Sequence, residues 1–236
     1  MTSLLDMVYP RRCLLCRKIP VLSGRQDQLR FKDLGLCPCC SEEVFRQKDP
    51  LSPYGRCSFC YQDEVRNALF RLKYEGDRDI ADALAGWMVQ EGRDWFLSSR
   101  FDLIIPVPLS QKRRQERGYN QAGLIARGLS VRLGVPYADL LVRTRDTMPM
   151  KQLGEDLRIK NIRDAFAFED PGLLEKMKRC GSWRLLLVDD IITTGATLME
   201  AKKTLTGQLP GADVLFWAFA GEEWDQTRKK QMTGQK

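Results

Sequence analysis

The sequence predicts an α/β fold, a mostly parallel sheet flanked by helices with a small cysteine-rich module ahead of it. Three observations predict it. After residue 62 short apolar runs alternate with segments of helical spacing; one run, Arg184-Leu-Leu-Leu-Val-Asp-Asp190, is apolar enough for a strand buried on both faces; and seven of the eight cysteines lie in the first sixty residues. Strands alternating with helices form parallel sheets covered on both sides, with binding sites at the carboxyl ends of the strands. The 236 residues suit one domain plus a small one. The expected division is a cysteine module over 1–61, a sheet domain over 62–222 and a polar tail over 223–236.

The cysteines come as Cys13-x-x-Cys16, Cys37-x-Cys39-Cys40 and Cys57-x-x-Cys60. Two thiolates three positions apart on a tight turn hold one edge of a metal site, and two such turns complete a tetrahedral zinc site of the ribbon type. The simplest ligand set is Cys13, Cys16, Cys37 and Cys40, with Cys57 and Cys60 as a decayed or alternative second knuckle; Cys39 in place of Cys40 would give a C-x-C pair. Disulfides and an iron–sulfur cluster are the rival readings. An exported protein would need a signal, whereas the start is broken by Asp6, Pro10, Arg11 and Arg12, and no run approaches the roughly 18 apolar residues of a membrane span. The expectation is a cytoplasmic protein with a structural zinc. This first segment has few aliphatic runs, as in a metal-stapled module without a core of its own.

Beyond Cys60 the elements follow in order. Val65, Leu69 and Leu72 give helical spacing over Glu64 to Tyr74, and Ile80, Leu84, Trp87 and Met88 repeat it over Asp79 to Val89. The run from Phe101 to Leu109 reads as a buried strand ended by prolines, running into a very basic loop. Tyr119 to Leu133 reads as a helix, Leu140 to Arg145 as a strand, Met148 to Asp156 as a polar connection and Ala165 to Glu169 as a weak strand. The strand from Arg184 follows, then a helix over Ala196 to Thr206 and a last strand over Asp213 to Ala220.

Composition narrows the chemistry. There is no histidine, which excludes Ser-His-Asp and Cys-His nucleophiles and histidine metal ligands. The 38 lysines and arginines against 31 acidic residues leave a net charge of +7, which favours phosphates or nucleic acid as ligands. The most informative stretch is Leu185 to Thr197. Asp189 and Asp190 stand where the strand leaves the sheet, and Thr193, Thr194, Gly195, Ala196 and Thr197 make a small hydroxyl-rich turn into a helix, whose free N–H groups and dipole suit a phosphate. Carboxylates repel a phosphate, so the aspartates should face sugar hydroxyls, or magnesium through water, and should be partly exposed. Together these imply a ribose 5-phosphate. The plain alternative is an ordinary strand and turn with two solvated aspartates. A Walker A loop is excluded because no Gly-Lys-Ser/Thr follows.

This stretch resembles the signature of type I phosphoribosyltransferases, which bind phosphoribosyl pyrophosphate (PRPP). The resemblance implies that Asp189 and Asp190 contact the ribose 2- and 3-hydroxyls and that Thr193 to Thr197 cradle the 5-phosphate. It also implies that the loop Ile105-Pro-Val-Pro-Leu109, with Val107, Pro108, Lys112, Arg113, Arg114 and Arg117, holds the pyrophosphate with magnesium. The order of cysteine pairs, P-V-P-L loop, Arg117-Gly-Tyr-Asn-Gln121, Arg158-x-x-Asn161-x-x-x-Ala165-Phe166 and PRPP motif is similar to the ComF/ComFC family over nearly the whole chain. The loop expected to close over PRPP departs from many relatives, with Met150 after Pro149 and Gly154 after Leu153. The family implies a role in natural competence, in handling incoming single-stranded DNA, with a ComFA helicase-like ATPase as partner and the zinc module as a contact surface. Three readings stand: a transferase whose acceptor the sequence does not identify, a PRPP sensor without turnover, and a nucleic-acid module using the basic loop, Lys151, Arg158, Lys160 and Arg163.

Overall fold

A computed structural model describes residues 10–46, 55–146 and 161–221. The expected closing loop around Pro149 and Met150, with Lys151, Leu153, Gly154, Arg158 and Lys160, lies outside these residues, as does the 223–236 tail. The central sheet has four parallel strands in the order β1 (Gly55–Cys60), β6 (Asp213–Gly221), β5 (Arg184–Ile192), β2 (Leu103–Pro106). The α/β prediction holds, and β5 and β6 occupy the interior because they are the longest apolar runs. A separate antiparallel pair joins β3 (Leu141–Arg143) to β4 (Phe166–Phe168).

Strand β1 is the element that the sequence pattern did not reveal. It lies inside the segment assigned above to the cysteine module, yet Gly55 to Cys60 run in register with Phe216 to Gly221 of the main sheet. Its Gly-Arg-Cys-Ser-Phe-Cys composition lacks an apolar run, and its polar side chains meet partners from other elements: the Trp217 indole N–H donates to Ser58 Oγ at 2.7 Å, and Arg56 is ion-paired with Glu91. The opposite edge, β2, is covered by the segment after the helix Gln121–Leu133, where Ile104 N–H donates to the Pro136 carbonyl and Ala138 N–H to the Ile104 carbonyl.

Helices α1 (Arg25–Leu34) and α2 (Pro38–Arg46) precede the sheet. Helix α3 (Asp63–Phe70) continues into a five-residue π-turn, Arg71–Glu75, and α4 (Ile80–Ser99) runs ten residues beyond the Val89 limit read from the sequence. The first of these expected helices thus becomes two pieces. Helices α5 (Gln111–Arg117) and α6 (Gln121–Leu133) follow β2, α7 (Pro171–Arg179) precedes β5, and α8 (Ala196–Gln208) joins β5 to β6.

The period-2 alternation of β5 divides the core. Leu186 and Val188 pack with Ile104, Trp217, Phe219, Trp87 and Leu129 on the face covered by α4 and α6. Leu185 and Leu187 pack with Ile105, Phe216, Leu198, Ala201 and Leu205 on the α8 face. Leu15, Leu34 and Leu36 of the cysteine segment are buried in the first of these clusters. Close approach of α4 to the sheet needs Gly92, where a Cβ would meet the Trp217 ring at 2.4 Å, whereas a Cβ at Gly207 of α8 would meet nothing within 4 Å. Two substitutions of the same kind should therefore have opposite signs. Gly92→Ala should lower stability by about 1–3 kcal/mol, since the clash outweighs the helix preference of alanine, and Gly207→Ala should raise it by about 0.5 kcal/mol; urea midpoints compare them.

Candidate functional site

The four-cysteine cluster forms where two short loops meet. The Cys13–Cys16 turn is held by Leu14 N–H donating to the Gly35 carbonyl at 2.8 Å, next to the loop that carries Cys37 into α2. The Sγ atoms of Cys13, Cys16, Cys37 and Cys40 all lie within 4.8 Å of one another, and those of Cys16 and Cys37 are 3.9 Å apart. A tetrahedral site with metal–sulfur bonds of about 2.3 Å needs sulfur edges of about 3.8 Å. Cys37 N–H points at Cys13 Sγ and Cys40 N–H at Cys37 Sγ, as thiolate ligands require. Burial pushes the Cys37 and Cys40 thiols up; at Cys13 burial acts the same way but backbone N–H groups outweigh it and lower the thiol. Such a set holds charge only when a cation compensates it. Cys40 rather than the exposed Cys39 completes the group, and Cys57 and Cys60 lie apart from it on β1, Cys57 with its Sγ against the Phe59 carbonyl.

The second site is a cavity of about 860 Å³ at the carboxyl end of the sheet. Val107, Pro108, Arg113, Arg117, Asp189, Asp190, Thr193 and Thr197 all line it, while Thr194, Gly195 and Ala196 line an adjoining hollow shared with Asp189, Thr193 and Thr197. Lys112 and Arg114 instead point to solvent. Gly195, at φ 74°, turns the chain into α8 in the left-handed region that favours glycine. The Val107 loop is fixed by its own N–H donating to the Val188 carbonyl and by Asn120 Nδ2 donating to the Val107 carbonyl at 3.0 Å. The Arg117–Gln121 motif divides its work. Arg117 donates to Gln121 Oε1, Gly118 caps α5 in the left-handed region, Tyr119 is buried with its hydroxyl on the Leu72 carbonyl, and Asn120 anchors the loop.

Two cations absent from the sequence reading face the aspartates. Lys73 of the π-turn is 2.7 Å from Asp190, which is only 9% exposed rather than partly solvated as expected. Arg143 of β3, also buried, lines the same cavity, and burial followed by the nearby Arg113 charge pushes its guanidinium down to about 10. Asp189 is half-buried; desolvation and then the Asp190 charge raise its carboxyl well above the usual range, against the N–H of Asp190 that donates to it at 2.8 Å. Alternation along β5 carries Asp190 to the π-turn side and Asp189 to the α8 side, so the two neighbours meet different partners. The sequence signal for Arg143 was a charge on the inward face of a strand beside Leu141; for Lys73, on an expected helix, there was none.

The buried Arg71, two residues before Lys73, binds the cysteine loop. Its guanidinium donates to the Leu15 carbonyl at 3.1 Å, to the Leu14 carbonyl, and to Asp77. Asp77 also pairs with Arg17 at 2.9 Å, and the Trp87 indole N–H donates to the Leu34 carbonyl at 2.6 Å. Among the described residues no helix is long and apolar enough to cross a membrane.

No protein-family model matches the chain. Curated relatives do. The chain is 30% identical to competence protein F of Haemophilus influenzae over 235 residues, covering 89% of this chain and 96% of that one. It is 28% identical to the DNA utilization protein YhgH of Salmonella typhi over 229 residues, covering 84% and 92%. Among solved structures an adenine phosphoribosyltransferase is similar, with a TM-score of 0.42 and 18% identity over 81% of this chain and 93% of that one, a likeness of fold alone. With a relative of this identity aligned along almost its whole length, and with the four cysteines that the spacing singled out brought together, the chain belongs to the ComF family of competence proteins.

Proposed function

We propose that the cavity at the end of β5 binds PRPP and that the protein acts in the uptake or use of incoming DNA. The observation that carries the reading is the convergence on one cavity of the Asp189 and Asp190 carboxylates, a threonine turn at a helix N-terminus and a cationic wall that includes Lys73, Arg113, Arg117 and Arg143. A phosphate suits the Thr193–Thr197 turn, ribose hydroxyls suit the carboxylates as donors, and a pyrophosphate suits the cationic wall. Magnesium bound with the pyrophosphate would neutralise its charge, and carboxylate oxygens such as those of Asp189 and Asp190 are its usual ligands. Relatives named for competence and DNA utilization support the cellular role. If turnover occurs, a nitrogen nucleophile displaces pyrophosphate at the anomeric carbon, and the cationic wall stabilises the leaving group. The four thiols suit zinc in a structural role, since a complete set of four cysteine ligands is the arrangement of structural zinc sites. A second reading, single-stranded DNA binding with a helicase-like partner, draws on the +7 charge and the arginines at the cavity.

The deciding experiment titrates the protein with PRPP and magnesium by calorimetry, then assays pyrophosphate release against a panel of bases; absence of binding overturns the reading, and binding without release favours a sensor. Asp189→Asn with Asp190→Asn should weaken PRPP binding by at least about 100-fold, because two hydrogen bonds to charged acceptors are lost at about 1.5–3 kcal/mol each. Asp189→Asn alone should stabilise the unliganded protein. A carboxyl raised in the folded state loses stability as it ionises, so the gain in Tm should be small near pH 4, the unfolded-state range, and grow as pH rises through the folded value. Cys13→Ser should remove bound zinc and lower Tm, read by metal analysis and thermal melting; full zinc content in that variant would exclude the ligand set.

A further inference from the structure

The stretch 71–77 touches two sites at once. Arg71 is buried, and its guanidinium donates to the carbonyls of Leu14 and Leu15, the two residues between Cys13 and Cys16. Asp77 accepts from Arg71 at 3.3 Å and from Arg17, the residue after Cys16, at 2.9 Å. Both ends of one short segment therefore grip the first cysteine turn. Between those ends Lys73 points the other way, into the cavity, 2.7 Å from Asp190. The Leu72 carbonyl accepts from Tyr119, whose neighbour Asn120 fixes the Val107 loop. All of these contacts share one run of backbone, so a shift on the cysteine side is felt on the cavity side.

We infer that Arg71 is a positioning residue through which metal binding at the four thiols and ligand binding in the cavity strengthen one another. The inference rests on the PRPP and zinc readings above and adds a link between them. The Leu14 and Leu15 carbonyls face Arg71 while the turn keeps the wrapped shape that brings the four Sγ atoms within 4.8 Å of one another. Ligation enforces that shape, because two thiolates from one turn must meet the same cation. If the turn opens, a buried guanidinium loses two acceptors, and leaving it unpaired in place is unfavourable. Arg71 then follows the turn, and the π-turn that carries Lys73 follows Arg71. A cation held in place before the ligand arrives spares the ligand the cost of ordering it. Linkage makes the effect reciprocal, so the factor that the metal adds to PRPP affinity is the factor that PRPP adds to metal affinity. A cluster that merely held the fold together would show the same exchange in any variant that still binds PRPP, and variants therefore separate the two cases.

The test uses the zinc-loaded full-length protein. Zinc affinity is measured by competition with a zinc-selective chelator that leaves magnesium free, with and without saturating PRPP and magnesium, and calorimetry establishes saturation for each variant. PRPP should tighten zinc binding about tenfold in the parent, within the range of ordinary coupling between sites. Arg71→Lys keeps the charge but not the fork that spans two carbonyls and Asp77, and Lys73→Gln leaves the cysteine turn untouched; in each the effect should fall below about twofold. Unchanged zinc affinity in the parent with PRPP bound, or the parent's full effect in either variant, overturns the inference. Should Arg71→Lys fail to fold, Lys73→Gln decides alone by the same criterion. Absence of PRPP binding to the parent overturns the PRPP reading instead, and a ligand-free comparison then decides the link. Asp190→Asn, which releases Lys73, should weaken zinc binding about threefold in the parent and leave it unchanged in Lys73→Gln, and no change in the parent overturns the link.

Discussion

Asp189 and Asp190 leave the sheet side by side at the end of a buried strand, where desolvation and mutual repulsion both disfavour their charges. Much of the surrounding architecture answers this constraint. Alternation along β5 sends the two side chains to opposite faces, Lys73 reaches Asp190 from one side, and Arg143 stands near Asp189 on the other. Neither cation is a neighbour in sequence, and each is supplied by a short element, a five-residue π-turn and a three-residue strand. Each carboxylate thus has a partner at close range, Asp190 in Lys73 and Asp189 in the Asp190 N–H.

The π-turn is where the two halves of the molecule meet. Leu72 enters the core, Lys73 faces Asp190, and Arg71 holds the carbonyls of Leu14 and Leu15 inside the first cysteine knuckle. A regular α-helix would bring successive side chains round at 100° steps; the wider turn spaces these contacts differently, and π-turns recur at functional sites for this reason. The buried Tyr119 adds a further tie, since its hydroxyl bonds the Leu72 carbonyl while its neighbour Asn120 fixes the Val107 loop. The cysteine loop, the π-turn and the cationic loop are therefore joined by direct contacts, although they are separated by tens of residues along the chain.

The cysteine cluster and the sheet are also linked through the core. Leu15, Leu34 and Leu36 share a cluster with Trp87 and Leu72, so the cysteine segment borrows apolar contacts from the larger sheet domain. Strand β1 extends this connection by adding the edge next to β6, which gives the polar stretch around Arg56 and Ser58 its partners in Glu91 and Trp217.

The sequence by itself determined the parallel α/β sheet, the order of its main elements, the cysteine pairs and the Leu185–Thr197 pattern of strand, aspartates and threonine turn, because each is encoded locally, as an apolar run, a spacing or a turn residue. Asp189, Asp190, Thr193 and Thr197 were named from such patterns, Val107, Pro108, Arg113 and Arg117 from the family resemblance, and all of them line one cavity. Only the tertiary structure decided the rest. Strand β1 has no apolar run, and its pairing with β6 depends on a partner more than 150 residues away. Cys40 and Cys39 are adjacent, and only the fold buries Cys40 beside the other three thiols while leaving Cys39 exposed. Lys73 and Arg143 acquire meaning only when the fold sets them against two carboxylates, since electrostatic partnership is a matter of distance in space, and no local periodicity records it.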